Sequence, residues 1–137
     1  MIQITPVNTK AETKLFVKVA SDIQLPGSVW ISTLNSVISC AIDMAKNPFY
    51  DDGKGQAFID MKDNKVVGRI LAHISNRHHK LHSERTGYFG LFECANDQYV
   101  ARALFQAAEN FLRDNDCDVI RGPFNITAAQ EMGIVTD

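Results

Sequence analysis

Gly87-Tyr88-Phe89-Gly90-Leu91-Phe92-Glu93-Cys94 is apolar on both faces. A half-exposed strand alternates apolar and polar residues, whereas a strand without alternation is buried centrally in a sheet and covered on both sides. Asn96 and Asp97, which follow, are helix caps, and Val100, Leu104, Ala107, Ala108, Phe111 and Leu112 recur at the 3.6-residue period. Residues 117–120 then read as one more short strand. A strand, a crossover helix and a second strand return with a fixed hand, so the last strand lies parallel to its neighbour.

Working outward, residues 66–75 form a longer apolar strand with Gly68 as a bulge, preceded by the turn Lys62-Asp63-Asn64-Lys65 and a strand over 56–61. Residues 76–86 read as a polar loop. At the start, residues 2–7 alternate as a short strand, and Thr9 caps a helix carrying Leu15, Phe16, Val19 and Ala20. Leu25-Pro26-Gly27-Ser28 breaks the chain, and Ser28 caps a second helix whose apolar face runs through Trp30, Leu34, Val37, Ile38, Ala41 and Ile42. Asn47-Pro48 marks its end, and residues 126–132 have room for a short helix. The order predicts an α/β (α+β) domain over 1–137: a mixed, largely antiparallel sheet flanked by helices on both faces.

Composition narrows the function. A chain of 137 residues suits a single core. With 14 Lys and Arg against 16 Asp and Glu, the net charge of −2 offers no footprint for nucleic acid or an anionic membrane. No apolar run spans a bilayer, and Met1-Ile2-Gln3-Ile4-Thr5 lacks a signal pattern. Cys40, Cys94 and Cys117 include no CxxC pair and read as reduced, mostly buried thiols of a cytoplasmic protein.

Glu93 stands near the end of the buried strand, on the side of Leu91 and Phe89, where an apolar setting suits a carboxylate to proton abstraction. The other reading is a carboxylate meeting solvent or Arg69. His73, His78, His79 and His82 crowd together, but Arg77, Lys80 and Arg85 oppose a divalent ion, so no metal is expected. That basic loop could instead meet the anionic part of a ligand. Asp51-Asp52-Gly53-Lys54-Gly55-Gln56 lacks P-loop spacing and reads as a connecting turn.

The order of elements is also that of the GNAT fold. Ala101-Arg102-Ala103-Leu104-Phe105-Gln106-Ala107-Ala108-Glu109-Asn110-Phe111-Leu112-Arg113 resembles the GNAT helix behind the acetyl-CoA loop, and Cys117-Asp118-Val119-Ile120 resembles the strand after it. Asn47-Pro48-Phe49-Tyr50, Val67-Gly68-Arg69-Ile70, the strand ending at Glu93, and Arg121-Gly122-Pro123-Phe124-Asn125 resemble the N-terminal portion of a subgroup of longer GNAT-like proteins. The resemblance implies transfer of an acetyl group from acetyl-CoA to an amine on a small molecule or peptide, with Glu93 helping to deprotonate the acceptor. It implies that the backbone at Phe92 and Cys94 holds the thioester and pantetheine. Asn96, Asp97, Gln98, Tyr99, Val100 and Ala101 would face the pyrophosphate, which suits a helix N-terminus. Asn125, Thr127 and Glu131 would line the substrate site, or alternatively cap a short helix ending at Gly133.

Two features depart from that family. Its loop reads Q/R-x-x-G-x-G/A, and here Asn96, Tyr99 and Ala101 take those positions; a shifted register gives Gln98, Ala101 and Ala103, also without glycine. A GNAT domain continues past its fifth strand with a helix and two strands, and that helix often brings a tyrosine that protonates the thiolate. No tyrosine follows Tyr99. The expectation is therefore a C-terminally truncated GNAT-like domain whose exposed sheet edge favours a homodimer. The alternative is a catalytically inactive GNAT-like binding or assembly module.

Overall fold

The computed structural model describes residues 1–126 and 132–133. The elements follow in the order β1 (Ile2–Pro6), α1 (Lys10–Asp22), α2 (Asn35–Ala41), a 3-10 turn (Pro48–Asp52), β2 (Gly53–Lys62), β3 (Lys65–Ser75), α3 (Asn76–His82), β4 (Thr86–Cys94), α4 (Gln98–Asp114) and β5 (Val119–Arg121). The strands form one sheet in sequence order. Neighbours from β1 to β4 are antiparallel, and β5 returns parallel to β4. The expected mixed sheet is thus present, because α4 carries the chain back along the sheet.

Helices cover both faces. On one, Val100, Leu104, Ala108 and Leu112 of α4 meet Phe58, Ile70, Ala72 and Ile74. On the other, Phe16, Ile38 and Ile42 from α1 and the α2 region meet Ala57, Ile59, Leu71 and Leu91. Successive residues of β2 and β3 are divided between these two clusters, which is why the central strands are apolar throughout.

Local chemistry fixes the joints. Thr9 and Glu12 form a capping box: the Thr9 hydroxyl accepts from Glu12 N at 3.2 Å, and the Glu12 carboxylate accepts from Thr9 N at 2.8 Å. Asp63 and Asn64 have φ of 51° and 62° between paired Lys62 and Lys65, the two-residue turn whose twist matches a hairpin. The β2–β3 register slips beside Gly68, leaving Val67 as the extra residue. No helix among the described residues is long and apolar enough to cross a membrane.

Several elements differ from the sequence reading. The second helix begins at Asn35 rather than after Ser28, and Trp30 lies in irregular chain. The Ser28 hydroxyl accepts from Trp30 N at 3.2 Å within a local turn, and Val29, Ile31 and Thr33 are β-branched. Asn47 does not end that helix; it caps the 3-10 turn through Phe49 N at 3.0 Å. Strand β2 starts at Gly53, so four of the six residues of the expected connecting turn are strand. The expected loop over 76–86 contains α3, capped by Ser75, which accepts from His78 N at 3.2 Å. That helix has no buried residue and therefore no periodic apolar signature. Cys117 is buried, but Cys94 is only partly so and Cys40 is exposed.

A second register shift shapes the centre of the molecule. Arg69 pairs with Glu93, yet Leu71 pairs with Gly90, so two residues of β4, Leu91 and Phe92, oppose Ile70 alone of β3, and Leu91 takes a φ of 49°. Strand β5 pairs with β4 only as far as Tyr88 and Arg121. The chain then passes a cis Gly122–Pro123 bond and returns at Phe124, whose N–H donates to Phe89 O at 2.8 Å. Gly90 lies directly beneath, and a Cβ there would collide with Phe124 O. Gly90→Ala should destabilise the fold by about 1–3 kcal/mol through this overpacking, against about 1 kcal/mol for Thr9→Ala at the α1 cap. Urea midpoints of the two variants check that ranking.

Candidate functional site

The bulge in β4 and the departure of β5 open a cleft of about 840 Å³ between β4 and the segment joining α1 to α2. Arg69 and Glu93 line its floor, Gln24, Ser28 and Trp30 its wall, and Asn125 its far side. A second cavity of about 590 Å³ runs beneath α2 and shares Thr33, Ile38, Leu91 and Asn125 with the first. The two are arms of one cleft.

Arg69 is buried in β3. One guanidinium nitrogen donates to Phe16 O at 3.0 Å, and its carbon lies 5.2 Å from the centre of the Phe16 ring. Burial pulls the guanidinium down from its ordinary value, while the Glu93 carboxylate opposite pulls it back up. Glu93 is partly buried and therefore meets both Arg69 and the cleft. Phe89, expected on its side, instead packs edge-on against Phe105 of α4, with ring centres 5.0 Å apart. The extra residue at Leu91 breaks the alternation between them.

The backbone of β4 also turns toward the opening. Ala95 N donates to Val67 O at 2.8 Å, and Glu93 sits opposite Arg69. By the alternation of an antiparallel ladder, the N–H groups of Phe92 and Cys94 then face the gap that β5 leaves. Leu91 N is already committed: it donates to Asn125 Oδ1 at 2.8 Å. Asn125 thus closes the bulge as well as lining the cleft. Thr127 and Glu131, and the helix expected around them, lie outside the described residues.

At the start of α4, Asp97 caps the helix, accepting from Tyr99 N at 2.9 Å and pairing with Lys62 Nζ at 2.9 Å. Lys62 first, and then the Tyr99 N–H, hold its carboxyl below the usual range. The side chain of Tyr99, at the first glycine position, is 63% exposed. Asn96 and Gln98 are also exposed, whereas Val100 is buried under the sheet and Ala101 is partly covered. Among the described residues no three His, Cys, Asp or Glu side chains gather as a metal site requires. His78 instead meets Glu84 at 3.4 Å and the Tyr88 hydroxyl at 3.1 Å.

The burial of two polar groups, Asp60 and His73, escaped the sequence reading. Asp60 in β2 has no exposed surface; burial raises its pKa, and the nearby Asp97 adds to the rise. His73 is sealed between the Phe49 and Tyr88 rings. Its Nε2 lies 3.0 Å from Phe124 O, which only a protonated Nε2 can satisfy, so it holds the returning chain in place. Only their unbroken apolar flanks could have flagged either residue.

Burial brings the His73 pKa down to about 4 from 6.5, partly offset by its bond to Phe124. Between those values the unfolded chain carries a proton that the folded one refuses. Stability is therefore full above pH 6.5 and is lost as the pH falls toward 4. The expected slope approaches about 1.4 kcal/mol per pH unit, and His73→Phe should remove it. Denaturation midpoints of both proteins across that window make the comparison, in which contributions common to both, such as that of Asp60, cancel.

No family model matches the chain. It is 31% identical over 135 residues to the bacterial ceramide synthase of Caulobacter vibrioides (strain NA1000 / CB15N), covering 98% of this chain and 35% of that protein. It is 33% identical over 132 residues to protein YghO of Escherichia coli (strain K12), covering 93% and 33% respectively. The chain thus spans about a third of the length of these curated relatives. Among solved structures, an aminoglycoside acetyltransferase from an uncultured soil metagenomic sample, in complex with sisomicin, matches with a TM-score of 0.62 at 9% identity, over 99% of this chain and 93% of that one. The acetyltransferase AAC(6')-Iy, in complex with a CoA-containing bisubstrate analogue, matches with a TM-score of 0.60 at 15% identity, over 88% and 78%. At such identities the likeness is one of fold, and the fold of this chain is that of the GNAT acetyltransferases.

Proposed function

We propose that this chain is the acyl-CoA-facing part of an N-acyltransferase, moving an acyl group, acetyl in the simplest case, from a CoA thioester to an amine. The observation that carries this reading is the break in β4. A bulge at Leu91 and the loss of β5 beyond Tyr88 turn backbone donors and one carboxylate into a common cleft. Two of the similar proteins add support, since one is named a ceramide synthase and AAC(6')-Iy is held with a CoA-containing bisubstrate analogue.

CoA supplies an activated acyl group as a thioester. On this reading the N–H groups of Phe92 and Cys94 hydrogen-bond the thioester and the pantetheine amides and polarise the carbonyl. Glu93 takes the proton that the amine gives up as the new C–N bond forms. Arg69 sits opposite Glu93 across the β3–β4 ladder and, since guanidinium stays charged even when buried, presents a positive charge to that carboxylate. Asn125 holds the bulge in shape from the side.

A second reading, a GNAT-like module without activity, has one observation in its favour. The Asp97 carboxylate already sits at the α4 N-terminus, where a pyrophosphate would bind.

Calorimetric titration with acetyl-CoA and longer acyl-CoAs separates the two. Saturable binding, with Glu93→Gln lowering kcat about 100-fold or more and leaving CoA affinity intact, supports the transferase. A folded protein giving no heat with any CoA ester leaves the module. If Asp97 opposes the pyrophosphate, Asp97→Asn should tighten CoA about two- to fivefold, as expected for one charge at a helix end.

A further inference from the structure

The start of α4, the place assigned to the donor's pyrophosphate, is already occupied by the chain's own groups. Anions bind a helix start because its first N–H groups lack intrahelical partners. Here Asp97 N donates to Ala95 O at 2.6 Å, Tyr99 N to the Asp97 carboxylate at 2.9 Å, and Ala101 N to Asp97 O at 3.2 Å. Just before them, Ala95 N donates to Val67 O at 2.8 Å. Tyr99 stands at the first glycine position of the GNAT loop, so the N–H that a phosphate would use there is held by a side chain of the same helix.

Charge points the same way. Lys62 Nζ lies 2.9 Å from the Asp97 carboxylate, and Asp63 and Asp60 act on the same ammonium. A pyrophosphate would bring further negative charge to a place where the helix dipole and Lys62 are already met by carboxyl groups. The cleft also stops short of this helix start. Among the described residues, those lining its two arms reach no further along β4 than Glu93, and none comes from α4 or the loop before it. The carboxylate that opposes a pyrophosphate leaves the β4 end of the site open to an uncharged pantetheine arm.

We propose that the chain selects its donor by the pantetheine thioester alone, with the nucleotide end of CoA left in solvent, and that Asp97 is the residue that sets this specificity. The donor class so named, acyl thioesters of pantetheine with or without an attached ADP, rests on the acyl-transfer reading.

Calorimetry on the full chain compares acetyl-CoA, acetyl-phosphopantetheine and acetyl-pantetheine, with adenosine bisphosphate as the nucleotide end alone. The esters should bind within about fivefold of one another, the range of one charge at a helix end. Adenosine bisphosphate should neither bind nor displace them. Added salt should not weaken acetyl-CoA relative to acetyl-pantetheine, because no phosphate contact is there to be screened. Asp97→Gly removes the carboxylate and frees Tyr99 N, at little cost to the helix because glycine is itself an accepted N-cap. It should strengthen acetyl-CoA about tenfold and leave acetyl-pantetheine unchanged.

A larger preference for acetyl-CoA over acetyl-pantetheine in the unsubstituted chain would overturn the proposal and leave the transferase standing. So would a Lys62→Ala protein that loses acetyl-CoA and keeps acetyl-pantetheine, since Lys62 would then leave Asp97 for a phosphate. Equal effects of Asp97→Gly on both esters do the same. Heat from none of the esters, in a folded sample, would remove the proposal and the transferase together.

Discussion

An inserted residue in a buried strand leaves one backbone N–H pointing away from its ladder, and a donor buried unpaired costs about 1–3 kcal/mol. In β4 that residue is Leu91, and Asn125 accepts its N–H at 2.8 Å. Asn125 can arrive there only because the chain after β5 turns back, and it is held back by two more bonds. Phe124 N donates to Phe89 O at 2.8 Å, and Phe124 O meets His73 Nε2 at 3.0 Å. Gly90 gives the returning segment its room. The bulge, the loss of β5 beyond Tyr88 and the cleft behind them therefore stand or fall together.

Arg69 ties the other wall to the same point. A buried guanidinium is costly unless it is compensated; here one nitrogen reaches the carbonyls of Phe16 and Val17 while the Phe16 ring and Glu93 add electrostatic support, and Nε has no hydrogen-bond partner among the described residues. A sheet residue thus grips the middle of α1 while its charge faces the carboxylate at the cleft floor. Displacing α1 would change the field at Glu93, so the helix that builds the core also sets the electrostatics of the site.

Elements with an apolar period were legible in the sequence. The α4 heptad, the capping box at Thr9 and the parallel return of β5 all rest on local signals that the fold obeys. Gly68 was read beside the right irregularity, since the slip falls at Val67. The helix over 76–82 was not legible because it buries nothing, and the stretch 23–34 misled because Trp30 and Leu34 mimic a helical face in irregular chain. At the site, Glu93 could be chosen from its apolar strand, and Arg69 named as its neighbour, without any knowledge of register. The bulge could not: Leu91 is neither glycine nor asparagine, and the Asn125 side chain that meets its N–H comes from far along the chain. His73 and Asp60 were hidden for the converse reason, since polar groups inside apolar runs look like interruptions until their burial is known.

The two faces of the sheet carry unequal burdens. Under α4, Val100, Leu104 and Ala108 are sealed and the contact is continuous along the helix. On the opposite face the seal stops at α1 and a two-turn α2, and between them the chain runs with Leu25, Val29, Ile31 and Leu34 in solvent. Segments with few buried contacts open at lower free energy than the core, and binding loops are drawn from them. The bulge sits at the boundary, with Phe92 packed toward Phe105 of α4 and Leu91 toward α1. One side of β4 is thereby anchored while the other faces a wall with little holding it. A cleft built this way has one wall anchored to the core and an opposite wall that can adjust.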